Sequence, residues 1–380
     1  MKIVPAEASR MLTFFPWVTL RSRVDVGPFG LEPWDAEAPG EEWVKRVLAP
    51  YRGHPNRPVS KATVVSRRGT VGEQWDDKVV EEFFRLRELI SFVALTRRRF
   101  FQHSGYINDV SLRAVVQRVD WKQGGGVTRH SRRRDGRRIV YSVEGVYRVD
   151  APEQVEAEAT LDLDGDLVNA LWKVLSKGDA CSTWLENAIT LFNLANTDDD
   201  TVREHTEIVL MVSSAQALPR LHEFEEGKVA TAFAKVLDEV LGPTKEVASL
   251  PKSRDTGSVR KGMGLRELWF RDLYRTRGSI AHGALSPGEN RRWSLREHLL
   301  LASHIIPLTV LAELSKAGCY TLTDGDRDGI HAFDGLLCME DCFAQEEHTM
   351  SWRWPKVLLG EEREAAIGRV LVELGSLSDS

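Results

Sequence analysis

Cysteine is scarce: Cys181, Cys319, Cys338 and Cys342 are four in 380 residues, too few and too unevenly spaced to frame a secreted disulfide scaffold. A reducing cytosol fits that usage, so a cytoplasmic location is expected. An excess of one charge is also missing. The balance of 51 Lys and Arg against 56 Asp and Glu leaves −5, which argues against a protein whose main business is coating nucleic acid. No apolar run reaches the roughly 20 residues of a membrane helix; the longest, residues 299–314, carries His304 and Pro307. No membrane partner is expected. The apolar stretch 11–20 is interrupted by Pro16, is followed by Arg21 and has no small-residue cleavage site, so it does not read as a signal peptide. No internal repeat is visible.

What is present is a globular composition, 42% hydrophobic and 28% charged. A chain of 380 residues exceeds the size at which a single core usually stops growing, about 250 to 300 residues, so two or three domains are expected. Residues 1–155 read as a β-rich N-terminal domain. Phe14, Phe15, Trp17, Val18, Leu20, Val24 and Val26 are punctuated by Pro and Gly, the pattern of short strands and turns. Val79, Val80, Phe83, Leu86, Ile90 and Val93 recur at helical spacing and predict one amphipathic helix over 78–95. Rough alternation over 111–119 and 139–149 predicts further strands around a loop at 124–138. That loop carries Arg129, Arg132, Arg133, Arg134, Arg137 and Arg138, read first as a solvated hairpin tip and second as a phosphate contact.

From Asp164 onward the period changes from two to helical, and the domain boundary is placed near residue 155. Candidate helices cover 166–175, 183–194, 202–218, 228–241, 265–281 and 295–314, so residues 156–316 are expected to form an antiparallel bundle. Residues 317–380 follow as a C-terminal extension with Trp352, Trp354 and a short helix over 361–374. The fold class expected is α+β.

The helix over 265–281 sets Leu265, Leu268, Trp269, Leu273, Thr276 and Ile280 on one stripe. Arg277 sits beside that stripe, and His282 follows five residues later, about 140° round an ideal helix. Gly283 suits a helix end at which the backbone can swing His282 round. Gly278, Ser279, Ala281, Gly283 and Ala284 form a small-residue surface that admits a second helix. In a two-fold dimer that contact is isologous and joins one subunit's Arg277 and His282 with the other's.

The run Asp272-Leu-Tyr-Arg-Thr-Arg277-Gly-Ser-Ile-Ala-His282-Gly283 resembles the signature helix of HEPN domains, especially the Apea-like group. Residues 187–196 and 202–218 resemble that group's opening helices, and the similarity spans about 164–316. Two positions depart from it: Gly278, where many members carry a polar residue, and Gln216, where Apea-like members tend to be acidic. The resemblance implies a homodimer, paired through the helix of Arg277 and His282, that cleaves RNA without metal or cofactor, in a defence or toxin-like role. Residue chemistry agrees: histidine exchanges protons near neutral pH and arginine offers phosphate a fixed fork of donors. His282 is assigned as general base or acid and Arg277 as phosphate clamp. The expected products carry a 2′,3′-cyclic phosphate and a 5′-hydroxyl. Arg271, Arg275, Arg291 and Arg292 are expected to receive the RNA backbone, with Ser279 as a further phosphate ligand. Two other readings stay open, a non-catalytic dimerisation or scaffold module and a ligand sensor built on the N-terminal domain.

Other constellations carry less. Asp324, Asp326, Asp328 and Gly329 match the start of a calcium loop, but Gly335 stands where the bidentate Glu is needed, so an acidic turn is expected. Cys319, Cys338, Cys342, His331 and His348 lack the paired knuckles of a zinc site. His304 is read as a core histidine capping the kink at Pro307. Lys261-Gly-Met-Gly264 is too short for a phosphate loop and is expected to start a helix.

Overall fold

A computed structural model of the chain describes residues 10–98, 100, 106–120, 126–132, 138–143, 148–155, 159–243, 250, 254, 263–283 and 291–343. Its side-chain description omits 120–147. The organisation is α+β, in two compact units.

The first unit is built on an antiparallel sheet. Its strands are β1 (Arg10–Phe15), β3 (Val24–Val26), β4 (Phe29–Asp35), β7 (Lys61–Arg67), β8 (Val115–Asp120), β9 (Gly126–Arg132) and β10 (Arg138–Val143), in the order β10-β9-β8-β1-β7-β4-β3. β2 (Val18–Leu20) pairs with β12 (Ala159–Leu161), and β5 (Tyr51–Gly53) lies between β11 (Val149–Asp150) and β6 (Arg57–Pro58). Helix α1 spans Glu42–Leu48 and α2 spans Asp77–Thr96. All six side chains of β1 are buried because both faces of the sheet are covered. Leu12 and Phe14 pack with Val44, Val47, Leu48 and Tyr51, while Phe15 and Phe29 meet Phe83 of α2 at ring separations of 6.1 and 6.3 Å. A strand covered on both sides tends toward an unbroken apolar run, and residues 10–15 approach one, with Met11, Leu12, Phe14 and Phe15 buried and Arg10 and Thr13 the polar exceptions.

Two expectations change here. The arginine-rich stretch is not a loop throughout: Gly126–Arg132 forms β9, in register with β10, and residues 133–137 lie outside the described residues. The helix expected at 166–175 runs from Gly165 to Leu175 as α3 and belongs to the first unit, so the helical period does not mark the boundary. Trp172 of α3 stacks edge-on with Phe29 at 6.0 Å, and the Asn169 side-chain amide donates to the Asp25 carbonyl at 2.9 Å. Gly27 is required at this contact. Its φ is +55°, and a Cβ there would lie 2.3 Å from the Trp172 indole nitrogen.

The second unit holds α4 (Ala180–Leu194), α5 (Glu204–Gln216), α6 (Glu226–Leu241), α7 (Leu265–Ala281), α8 (Leu295–Lys316) and α9 (Asp324–Leu337), together with the described residues of Thr96–Tyr106. Helix α8 is packed against α4, α5, α6 and α9, and α7 against α5, α6 and α9. By length and hydropathy α8 passes as a membrane span, yet most of it is buried inside the bundle, as a core helix would be. It begins at a capping box made by Ser294 and Glu297 and runs unbroken through Pro307. His304 joins α8 to α9. Its Nε2 lies 2.7 Å from the Gly329 carbonyl of α9 and so carries the proton; burial, partly offset by that bond, pushes its pKa down to about 4.

The extension expected from 317 onward starts inside this unit. Residues 324–337 are not an acidic turn but helix α9, capped by Thr323 and Asp326. Asp326 is fully buried and takes Arg97 at 2.6 Å and the Tyr320 hydroxyl at 2.9 Å. Among the described residues, no three His, Cys, Asp or Glu side chains gather as a metal site requires. Residues 352, 354 and 361–374 lie outside the described residues, as does His348.

Arg266 ties the bundle's charged layer. At 1% exposure it donates to both carboxylate oxygens of Asp334 on α9, at 2.9 and 2.7 Å, and to Asp238 on α6 at 2.7 Å. Removing a buried partner while leaving its counter-charges costs about 3 kcal/mol or more. Arg266→Ala is therefore expected to lower the urea midpoint of unfolding, and Asp238→Ala, which leaves the bidentate pair intact, to lower it less.

Candidate active site on the last turn of helix α7

Helix α7 starts at Gly264, its N-cap, and ends where expected, at Ala281. Leu265, Leu268, Trp269, Leu273 and Thr276 are buried, as the stripe predicts. From Arg277 the helix emerges: Arg277, Gly278, Ser279 and Ile280 are half-buried, and Ala281, His282 and Gly283 are exposed. Ile280 thus departs from the expected core stripe.

The backbone does not swing His282 round. His282 is the C-cap: its N–H still donates to the Gly278 carbonyl at 3.1 Å, as in a helix, while its φ and ψ of −95° and 2° leave the helical range. The left-handed residue is Gly283, one position later, with φ +66°. Within one protomer the angular separation of Arg277 and His282 of about 140° therefore persists.

The arginines of α7 divide sharply. Arg271 Nε and Arg275 Nη2 both donate to Oε1 of Glu226 on α6, at 2.5 and 2.8 Å. Partial burial opposes ionisation of Glu226, but the two guanidinium groups hold its carboxyl below the ordinary range. Arg266 is occupied by Asp238 and Asp334. Arg277 has no carboxylate partner among the described residues. Its Nε is buried without an acceptor there, and its guanidinium carbon lies 5.9 Å from the centre of the Tyr274 ring. The expectation that Arg271 and Arg275 receive RNA is corrected to this extent: their charge is shared with Glu226. Ser279 is half-buried on the open turn.

Arg291 and Arg292 open the segment that leads into α8. Arg292 is only 7% exposed, which removes it from the open surface on which a polyanion was expected. Its backbone N–H, with that of Trp293, points at Asp272 Oδ2, at 3.2 and 3.4 Å. His298 Nε2 lies 3.4 Å from the same oxygen. Burial raises the cost of ionising Asp272, but His298, these N–H groups and the Arg292 charge together hold its pKa below the usual carboxylate range. The carboxylate thus anchors the start of α8 to the middle of α7, five residues before Arg277.

A second carboxylate, Glu297, holds the same corner. Arg254 forms an ion pair with it and donates to the Arg292 carbonyl at 2.6 Å; the N–H groups of Ser294 and Cys342 also donate to it. Ser294 and Glu297 have the spacing of a capping box, a local signal that could have found Glu297, but no spacing foretells Arg254, or the pairing of Glu226 with Arg271 and Arg275.

No protein-family model, curated protein or solved structure matches this chain.

The Glu297 pKa is set by burial, which opposes ionisation, and by Arg254 and the N–H donors, which outweigh it and hold it at about 2 against 4.5 for a free glutamate. A depressed carboxylate stabilises the folded state fully above its unfolded pKa, and that contribution is lost as pH falls through the folded value. Stability is expected to decline from about pH 4.5 toward pH 2. Glu297→Gln is expected to be less stable at pH 7 and to show a shallower acid decline in denaturant titrations at stepped pH.

Proposed function

We propose that this chain is a metal-independent endoribonuclease of HEPN type that works as a homodimer, with Arg277 and His282 as its reacting residues. One observation carries the reading. Of the arginines on α7, Arg277 alone lacks a carboxylate partner among the described residues, and it stands on the open last turn that ends in exposed His282. A guanidinium whose charge the fold does not consume is available to an external anion, and phosphate fits its fork of donors.

The reaction proposed needs no external nucleophile. The RNA 2′-oxygen attacks the adjacent phosphorus while its proton passes to an imidazole nitrogen. The bond from phosphorus to the 5′-oxygen breaks, and that oxygen takes up a proton. The products carry a 2′,3′-cyclic phosphate and a 5′-hydroxyl. Arg277 stabilises the charge that builds on the non-bridging oxygens, and His282 takes or gives the proton.

Because one helix holds the two side chains apart, a second copy completes the cleft. Two α7 ends related by a two-fold axis would set Arg277 beside His282 of the partner subunit. Among the described residues a Cβ added at Gly278 would meet nothing within 4 Å, which leaves room there for close approach, and half-buried Ile280 offers an apolar contact. The first unit would sense a signal or select the RNA, in a defence or toxin-like role. The same small-residue surface also favours a second reading, a dimerisation module without chemistry.

Purified protein incubated with total cellular RNA in excess chelator is expected to yield fragments ending in cyclic phosphate. His282→Ala, at an exposed position, should slow cleavage by about 10² to 10⁴, the usual contribution of a general acid or base, and Arg277→Ala should also impair it. Identical RNA profiles for wild type and both variants would sink the ribonuclease and favour the dimerisation module.

A further inference from the structure

Linked to Arg277 through Tyr274 is an aromatic feature that the proposed cleavage step does not use. Phe224, in the loop before α6, is 80% exposed, against 45% for Phe84 and 47% for Leu194, the other exposed large apolar side chains among the described residues. Isolated exposed apolar residues are ordinary, but here the backbone that carries the ring is fixed from two helices. The Tyr274 hydroxyl of α7 donates to the Phe224 carbonyl at 3.1 Å. The Gln216 side-chain amide of α5 donates to the Glu223 carbonyl at 2.8 Å. On the other side, Pro219–Leu221 forms a short 3-10 turn anchored by buried Leu221. The loop is held and its largest apolar group faces water.

His222 meets the Phe224 ring edge-on, with centroids 5.6 Å apart and planes at 67°. Tyr274 links the two features directly, since its ring lies under the Arg277 guanidinium and its hydroxyl holds the Phe224 carbonyl. Of the loop's acids, Glu226 is shared by Arg271 and Arg275 and Glu225 pairs with Lys228 at 2.9 Å, while Glu223 is exposed beside Phe224. A cation for phosphate next to an exposed aromatic face is the pairing that single-stranded nucleic acid uses, because an unpaired base stacks on a ring while its backbone phosphate takes the charge.

We propose that Phe224, edged by His222, is a stacking platform for an unpaired RNA base, and that it restricts the substrate to single-stranded RNA held by its phosphate at Arg277. The proposal rests on the ribonuclease reading above and deepens it by naming the substrate class. Gln216, the position that departs from the resembled pattern, acts here as a positioning residue for the loop.

The test uses a fluorescent single-stranded oligoribonucleotide carrying 2′-O-methyl groups throughout. Without a free 2′-hydroxyl it cannot be cleaved, so binding is read by anisotropy apart from chemistry. Phe224→Ala is expected to weaken binding about tenfold and Phe224→Trp to retain it, while the fully paired duplex should bind wild type and Phe224→Ala alike. Unchanged single-strand affinity in Phe224→Ala, or an equal loss for the duplex, overturns the platform. A shift of Phe224→Ala from dimer to monomer in sedimentation equilibrium also overturns it, by assigning the ring to contact between copies. The two proposals fail separately. Cleavage that depends on His282 with binding indifferent to Phe224 sinks the platform alone, whereas Phe224-dependent binding without any cleavage sinks the ribonuclease alone.

Discussion

Helix α8 must be enclosed on every side, and the second unit is arranged around that demand. Its buried residues run almost without break from Leu300 to Leu314, so it has no polar face to turn to water, and an all-round apolar helix is stable only in a core. Four helices surround it. Each polar group left on it must then find a partner inside the protein. Glu297 finds Arg254, His304 finds the Gly329 carbonyl, Thr309 bonds back to Ile305, and Glu313 pairs with Arg220. Helix α7 meets the start of α8 through Trp269 and Asp272 against His298, with one face in the core and the other charged. That placement lets its last turn stand open.

The same logic divides the arginines. Those whose side chains meet carboxylates of neighbouring helices, Arg266, Arg271 and Arg275, join α7 to α6 and α9. Arg277 lies past the point at which α6 supplies acids. Chemically similar residues on one helix thus differ in what they can do, because the partner elements end at different heights along it. Sequence spacing alone does not carry that distinction.

Much of the architecture was legible. The α+β organisation, the strands between Met11 and Trp34, helix α2 and both ends of α7 follow from local signals: Pro and Gly punctuate the strands, and one-sided burial leaves a helical period in α2 and α7. The failures have physical causes. Helix α3 was placed with the bundle because its period is helical, but its partner is Trp172's contact with Phe29 and Gly27, which no local pattern records. Residues 126–132 were read as loop because arginine-rich stretches resemble solvated turns, although backbone pairing with β10 tolerates polar side chains. Helix α9 was read as a turn because its glycines and aspartates are poor helix formers, yet Ile330, Phe333, Leu336 and Leu337 bury a full face. For the candidate site, Arg277 and His282 were visible in the sequence. Glu226, Tyr274 and Phe224 were not, because their relation to Arg277 arises only once α6 lies beside α7.

The buried partnership of Arg97 with Asp326 has a consequence for how the chain must assemble. The two residues are 229 positions apart, and Arg97 lies in a short stretch that the chain sends into the helical unit before returning to finish the sheet. No single cut in the sequence releases a complete bundle, and a growing polypeptide cannot close it until α9 has been made. A late, long-range closure of this kind belongs to slow folding. Burial of the Asp326 carboxylate is compensated by Arg97, so the final packing of α9 waits on the joining of segments made far apart in the chain.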